Sequence, residues 1–396
     1  MDQQRPAPLW LLGLIALGAV MTAHIFIPAL PFAAKSLGVD AREMQWTISI
    51  YIGGLAFGQL VFGPLADWIG LRRILIAGLC LYIIASIAAG MATQARTLVV
   101  IRLVQSLGGG VGLVLARTIA RRGCGAREAT RRQAMMNLLI TLGPALSPLL
   151  GGTIAAFWGW RMIFALLALF GCVNLIATLR LIPEADRAEV SGRTVMRHYL
   201  QLMICPYFVA CSIAGGCFTT SMYALIGAAP FILVRQFGYT AGRIGPMLAM
   251  ATAGIWLGSI AASRMAPRLR ADHMLMVGGA CVCASSIVML ILTIKGELTV
   301  PMLVATMCLF LFGVGLSGPP ALSLAISVNP QAMASGSGIY GASQMIIGAI
   351  CSMGSAQLGD PALGAAVTTA AASGIGTCAL VVMKFSRLNS GFRDRN

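Results

Sequence analysis

The sequence predicts an all-α membrane protein in which twelve transmembrane helices form two pseudo-symmetric bundles of six, and three observations support this fold class. Of the 396 residues, 58% are hydrophobic and only 10% are charged, whereas soluble proteins carry about 25% charged residues. Apolar runs long enough to cross a bilayer, which takes about 20 residues, recur along the whole chain. A long polar segment near the middle separates these runs into two equal sets.

The apolar runs define the expected helices in order. They are bounded by charged residues or by glycine and proline, which interrupt helices and mark loops. The expected spans are 9–34, 44–66, 72–94, 97–120, 134–157, 160–182, 203–229, 242–262, 272–294, 299–327, 333–357 and 361–385. Residues 1–182 are expected to form the first bundle, 183–201 a cytoplasmic linker, and 202–396 the second bundle with a cytoplasmic tail.

Two short patterns of the first half recur in the second half, as expected for repeated bundles. The stretch 31–38, which begins Pro-Phe and ends in glycine, recurs at 230–238. The stretch 63–73 aligns with 258–270, although the second copy lacks an acidic residue.

The basic residues predict the orientation in the membrane. Apart from Arg102 and Arg117, nineteen lysines and arginines fall on one predicted membrane face and seven on the other. The richer face is cytoplasmic by the positive-inside rule, so both termini are expected in the cytoplasm. The net charge of +16 lies mostly in short loops between the spans, which favours a protein of the lipid bilayer and argues against nucleic-acid binding.

The loop after the second apolar run has the pattern G-x-L-x-D-x-x-G-x-R-R. Gly63 is expected to help break the second helix, and Gly70 to lie in the turn into the third. We hypothesise a cytoplasmic conformational gate in which Asp67 pairs with nearby arginines, since opposite charges 4 Å apart attract by about 4 kcal/mol near a protein surface. The alternative is a solvated turn. The candidate partners are Arg72 and Arg73 in the loop and Arg121 and Arg122 at the end of the fourth helix.

Four further motifs accompany this loop. They are 27–31 in the first helix, 102–110 with its continuation to 117 in the fourth, 147–152 in the fifth and 228–233 in the seventh. Together they resemble the bicyclomycin-resistance type of drug:proton antiporter, a branch of the major facilitator superfamily. The resemblance implies two bundles that give alternating access to a central site, export of a small molecule, and a location in the bacterial inner membrane.

The fifth helix carries a proline- and glycine-rich face. Pro144, Pro148 and Gly151 are spaced four and three residues apart, so they share one side of a helix, and Gly152 follows directly. Proline bends a helix and glycine permits close approach of a neighbour. The resemblance implies that this face is an antiporter signature that closes against the eighth helix; the alternative is ordinary helix packing.

Proton coupling is where the sequence departs from this branch. The branch commonly has an aspartate in the first helix, four residues before the first proline, and His24 occupies that position. None of the twelve acidic residues falls in the interior of an expected span; Asp272 is the first residue of the span 272–294. Histidine titrates near pH 6.5, so His24 could bind and release the coupling proton. The alternative is a neutral histidine that donates a hydrogen bond to a neighbouring carbonyl.

Arg102 is the second proton-coupling candidate that the resemblance implies; the alternative is that it extends to the outer surface. Together with His24 and Arg117, it predicts an electropositive route suited to neutral or anionic cargo such as a siderophore or a drug. Arg117 could line the cavity or cap the cytoplasmic cluster of arginines. The remaining candidates for the cavity wall are Tyr51, Gln59, Asn137, Thr141, Tyr223, Tyr340 and Gln344.

An enzyme is not expected, because two of the three histidines, His198 and His273, lie in or next to predicted loops and no buried acid–base pair or metal cluster is apparent. No cofactor and no metal are expected, and the fold can work as a monomer. The expected partners are protons, lipid and a small-molecule substrate. A transporter-like sensor and a facilitated-diffusion carrier without proton coupling remain alternatives.

Overall fold

A computed structural model describes residues 7–121, 126–182, 200–328 and 333–389, and this part of the chain is helical without strands. The helices of eight residues or more, numbered in chain order, are α1 (Leu9–Ile25), α2 (Leu30–Leu37), α3 (Ala41–Ile69), α4 (Leu71–Gly90), α5 (Ala95–Arg121), α6 (Ala126–Trp158), α7 (Arg161–Leu181), α8 (Pro206–Thr219), α9 (Met222–Arg235), α10 (Ala241–Met265), α11 (Ala271–Lys295), α12 (Val300–Ile326), α13 (Met333–Ser355) and α14 (Pro361–Asn389).

The all-α membrane fold is confirmed. Within the described residues, ten helical segments are long and apolar enough to cross a membrane. Two further long helices, α6 and α13, occupy the positions of the fifth and eleventh expected spans. Many large apolar side chains are exposed along these helices, as a lipid-facing surface requires.

The helix break predicted at Gly63 is wrong. Helix α3 continues through Gly63 and the following proline to Ile69, and the turn is made by Gly70 at φ +113°. A proline inside a helix removes one backbone donor, but the other hydrogen bonds of a packed membrane helix persist. The turn falls at Gly70 because only glycine adopts this backbone angle without strain.

The first and seventh crossings are interrupted, whereas continuous helices were expected. In the first, Pro28 lies in a 3₁₀ turn over Ile27–Ala29 that separates α1 from α2. In the seventh, α8 ends at Thr219 and α9 begins at Met222. The two crossings then end alike, because Gly38 and Gly238 both adopt positive φ, at 68° and 66°.

The chain divides into two compact units. The first comprises Met1–Val190 and Leu233–Ala249, and the second comprises Ser191–Ile232 and Met250–Asn396. In the first unit, α1 packs on α5 and α6, and α4 packs on α5 and α7. In the second, α8 packs on α12, α13 and α14, and α11 packs on α12 and α14. The start of α10 therefore groups with the first unit.

Glycines give the register of the internal repeat. In each unit the second, third and fourth crossings approach one another at glycines, and at all of these except Gly58, whose Cβ position is 3.5 Å from the Gly110 Cα atom, a side chain would overlap the neighbouring helix. Those glycines recur 200 residues apart, as Gly54 and Gly254, Gly58 and Gly258, and Gly78 and Gly278. This corrects the sequence alignment of Gly63 with Gly258, because Gly258 is equivalent to Gly58. Both α3 and α10, and both α4 and α11, also begin 200 residues apart.

Candidate functional site

A buried arginine lies at the centre of the first unit. Arg102 on α5 has an exposed fraction of 0%. Its guanidinium donates to Gln105 Oε1 at 2.8 Å, to the Thr22 carbonyl at 3.2 Å and to the Thr47 carbonyl at 3.4 Å. The side chain therefore does not extend to the membrane surface, because carbonyl and amide oxygens of three helices hold it inside the bundle.

Aromatic rings complete the enclosure of this charge. The Arg102 guanidinium carbon lies 4.2 Å from the ring centroid of Tyr51, 5.8 Å from that of Phe26 and 6.0 Å from that of Phe164. The Tyr51 hydroxyl donates to the Ala19 carbonyl at 3.0 Å. Cation–π attraction is strongest when the cation is removed from water, as it is here. No carboxylate among the described residues pairs with Arg102. We call Arg102 with these rings and acceptors the Arg102 cage.

A hydrogen-bond network connects the cage to α4 and α1. Gln105 Nε2 donates to Ser86 Oγ at 2.8 Å, and Ser86 Oγ donates to the Tyr82 carbonyl at 2.6 Å. The Tyr82 and Thr22 hydroxyls are 2.5 Å apart. Sequence reasoning missed Thr22, Tyr82 and Ser86. The available signal was the four-residue spacing of Tyr82 and Ser86 in an otherwise apolar helix, which places both on one face.

His24 is buried in α1, with an exposed fraction of 1%. Its Nδ1 lies 2.9 Å from the Val20 carbonyl one turn earlier, which can only accept a hydrogen bond. This bond is the one expected for a neutral histidine, and it orients the ring. His24 follows Thr22 by two residues, and the Thr22 carbonyl binds Arg102. The structure thus places both proton-coupling candidates in the same unit, linked through one turn of α1.

The proline- and glycine-rich face of α6 makes two different contacts. Pro144, Pro148, Gly151 and Gly152 are all buried. A Cβ atom on Gly151 would overlap the Ile25 carbonyl at the end of α1. This glycine therefore lets α6 approach the α1 backbone directly, beside His24.

Gly152 instead faces the start of α10. A Cβ atom on Gly152 would lie 2.6 Å from the Gly245 Cα atom, and one on Gly245 would lie 2.8 Å from the Pro148 carbonyl oxygen. Backbone therefore meets backbone, and neither position has room for a side chain. We call this the α6–α10 contact; both of its sides belong to the first unit.

The gate candidates are only partly described. Arg72 donates from Nη2 to the Leu179 carbonyl at the end of α7, at 2.8 Å. Arg73, at the start of α4, is exposed. The side chains of Asp67 and Arg121, and all of Arg122, lie outside the described residues, so the predicted ion pairs stay a prediction.

Two of the cavity candidates meet in the second unit. Gln344 Nε2 donates to the Tyr340 hydroxyl at 2.7 Å and to Thr219 Oγ1 at 2.9 Å, while Thr220 donates to the Gln344 carbonyl at 2.7 Å. This cluster ties α13 to the interruption of the seventh crossing. Sequence reasoning missed Thr219 and Thr220, because the interruption itself was not foreseen.

The other cavity candidates are scattered. Tyr51 belongs to the Arg102 cage, Gln59 has an exposed fraction of 9%, and Tyr223 has one of 5%. Arg117 is half-buried near the end of α5. The side chains of Asn137 and Thr141 lie outside the described residues.

Comparison with known proteins gives consistent results. Residues 12–352 match the sequence profile of a family described as Major Facilitator Superfamily. A chloramphenicol resistance protein of Pseudomonas aeruginosa is 28% identical over 82% of this chain and 76% of its own length. Multidrug resistance protein D of Escherichia coli is 25% identical over 93% and 94%, and a bicyclomycin resistance protein homolog of Haemophilus influenzae is 22% identical over 88% and 89%.

Solved structures support the fold. The crystal structure of a D-xylose–proton symporter covers 93% of this chain and 96% of its own, with a TM-score of 0.74 at 14% identity. A bacterial Spinster homolog in an inward-facing, occupied conformation gives a TM-score of 0.71 at 16% identity, covering 96% of both chains.

Proposed function

Since the chain belongs to the Major Facilitator Superfamily, and is therefore a transporter and not an enzyme, we propose that it exports a small molecule across the bacterial cytoplasmic membrane by proton-coupled alternating access. Relatives named for chloramphenicol, multidrug and bicyclomycin resistance support drug-like cargo. They align over at least three quarters of their own length, so the likeness extends through both units.

Two buried groups of the first unit, the Arg102 cage and His24, support the proposal of coupling. The cage holds a fixed positive charge in the membrane, and His24 is a titratable group two residues from one of its acceptors. The interiors of the expected spans contain no carboxylate. His24 is therefore the group that can take up and release the coupling proton, while Arg102 keeps its charge throughout the cycle.

The same charges set the cargo class. A route with arginines and no acidic partner repels organic cations and favours neutral or anionic molecules, siderophores among them. Tyr340 and Gln344 offer neutral hydrogen-bonding groups at the interrupted seventh crossing, which is the kind of helix break that transporters use to bind polar substrates.

The cytoplasmic gate forms part of this proposal. We infer that Asp67 engages arginines among Arg72, Arg73, Arg121 and Arg122 when the outer side is open. The α6–α10 contact lies near the end of α6 and the start of α10, away from the loop that holds Asp67. It would form when the cytoplasmic side is open.

We expect everted membrane vesicles that contain the protein to accumulate radiolabelled chloramphenicol when respiration acidifies their interior. An uncoupler should abolish the accumulation above equilibrium, because the proton gradient drives it. Vesicles without the protein are the control. Equilibration that the uncoupler leaves unchanged would instead indicate a facilitated-diffusion carrier, and the absence of any protein-dependent flux would contradict transport of this compound and favour a sensor.

A further inference from the structure

Helix α5 carries two arginines inside one membrane crossing, Ala95–Ala120, and they differ in how they are held. Arg102 has three hydrogen-bond acceptors and three aromatic rings around it. Arg117 is half-buried, its Nε is shielded from solvent, and that Nε has no hydrogen-bond partner. No described residue forms an ion pair or a ring contact with its guanidinium. Within the part of the chain that the structure describes, the second arginine therefore has none of the contacts that hold the first.

The position of Arg117 follows from helix geometry. It lies seven residues after Gly110, and seven residues are about two turns, so both share one side of α5. That side faces α3, because the Gly110 Cβ position is 3.6 Å from the Gly58 Cα atom. Its neighbours Ala116 and Ala120 are fully buried. Arg117 is thus a half-buried cation on the side of α5 that faces α3, close to the arginine-rich end of the crossing.

An ionised side chain inside a membrane is unfavourable unless it faces a partner or a water-filled path. If Arg117 only capped a helix end, it would donate to backbone carbonyls, as Arg72 does to Leu179. It makes no such bond, although the planar guanidinium is suited to bidentate binding of oxyanions. The missing partner is therefore expected to be negatively charged and to come from outside the described residues.

We propose that Arg117 binds the carboxylate or phosphate group of an anionic molecule that the protein exports, an inference that rests on the export function proposed above. The anion would meet Arg117 on entering from the cytoplasmic side, where the arginine-rich loops raise its local concentration. Neutral cargo would use the same route without this contact. Arg117 then determines the preference for anionic over neutral cargo.

A pair of compounds with one scaffold tests this inference. Chloramphenicol is neutral, and chloramphenicol hemisuccinate adds a single carboxylate. In everted vesicles, we expect Arg117→Gln to raise the KM for the hemisuccinate about tenfold, since a charge-assisted bidentate contact is lost, and to leave the KM for chloramphenicol within about twofold. Arg117→Lys should retain part of the preference for the hemisuccinate, because the charge remains without the planar fork.

Two controls make the result specific. Arg264→Gln removes an exposed arginine at the end of α10 and should leave both KM values unchanged. Asp67→Asn tests whether the partner of Arg117 is Asp67 within the protein. If Arg117 serves only to pair with Asp67, then Asp67→Asn and Arg117→Gln should each impair the export of chloramphenicol and of the hemisuccinate alike. That outcome would overturn the proposal.

The remaining outcomes distinguish a failure of this inference from a failure of the proposed export function. If the wild type exports chloramphenicol but not the hemisuccinate, or if Arg117→Gln changes neither KM, anion binding by Arg117 is wrong and the export function stands. If the wild type exports neither compound, the export function fails and the inference fails with it.

Discussion

Replacement of Arg102 by methionine is expected to abolish efflux and destabilise the protein. Methionine retains much of the side-chain length but leaves the oxygens of Gln105, Thr22 and Thr47 without their donor. A buried acceptor left unpaired costs about 1–3 kcal/mol, so the loss of the donor to three acceptors should destabilise the protein by at least about 3 kcal/mol. Efflux should fall at least about tenfold, because the fixed charge at the centre of the first unit is lost.

The loss can be measured on purified protein with a thiol-reactive dye, since Cys211, Cys217 and Cys351 are buried and react only on unfolding. Arg96→Met is the matched control, because Arg96 lies exposed at the start of the same helix. If Arg102→Met and Arg96→Met have the same melting midpoint and the same efflux rate, then the Arg102 cage contributes neither to stability nor to transport.

Replacement of Gly245 by leucine is expected to stop transport while leaving the protein folded. The new Cβ atom would lie 2.8 Å from the Pro148 carbonyl oxygen and 3.0 Å from the Gly152 Cα atom, and these backbone atoms cannot rotate away. The α6–α10 contact could not form, so a cycle that requires it would stall. Efflux should fall at least about tenfold, because closely packed interfaces switch between discrete arrangements and do not deform continuously.

Cysteine labelling reports the state of this contact. Ala241, at the start of α10, is buried, and a Cβ atom on Gly152 would lie 3.2 Å from its carbonyl oxygen, so Ala241→Cys should react slowly with a membrane-impermeant maleimide and faster when Gly245→Leu is added. Gly374→Leu is the control, since a side chain there meets nothing within 4 Å. Unchanged labelling together with full efflux in Gly245→Leu would exclude the contact from the cycle.

Composition and run length were enough to predict the crossings, but not the interruption of the seventh. No proline or glycine marks that site. The hydroxyls of Thr219 and Ser221 instead donate to the carbonyls four residues earlier, while that of Thr220 donates to the Gln344 carbonyl. Bonds of the first kind compete with the helix backbone and bend it. Three consecutive hydroxyl residues in an apolar run were the only signal, and many membrane helices tolerate them.

The charged residues of the candidate site could be predicted from the sequence, but most of the oxygen atoms that accept hydrogen bonds from Arg102 could not. The three-residue spacing of Arg102 and Gln105 indicated a shared face, and the two side chains do meet. The other oxygens that hold Arg102 are the carbonyls of Thr22 and Thr47. Backbone groups carry no residue-specific pattern, so only the packing of α1 and α3 against α5 reveals them. The pairing of Gly152 with Gly245 likewise joins distant parts of the chain.

The central claim, that His24 carries the coupling proton in a membrane domain without carboxylates, is tested most directly in proteoliposomes. An imposed pH gradient, acidic inside, should make the wild type accumulate chloramphenicol above equilibrium. His24→Gln keeps a hydrogen-bonding side chain but cannot be protonated near neutral pH, so it should equilibrate the drug without accumulating it. Accumulation by His24→Gln that matches the wild type under the same gradient would contradict the account.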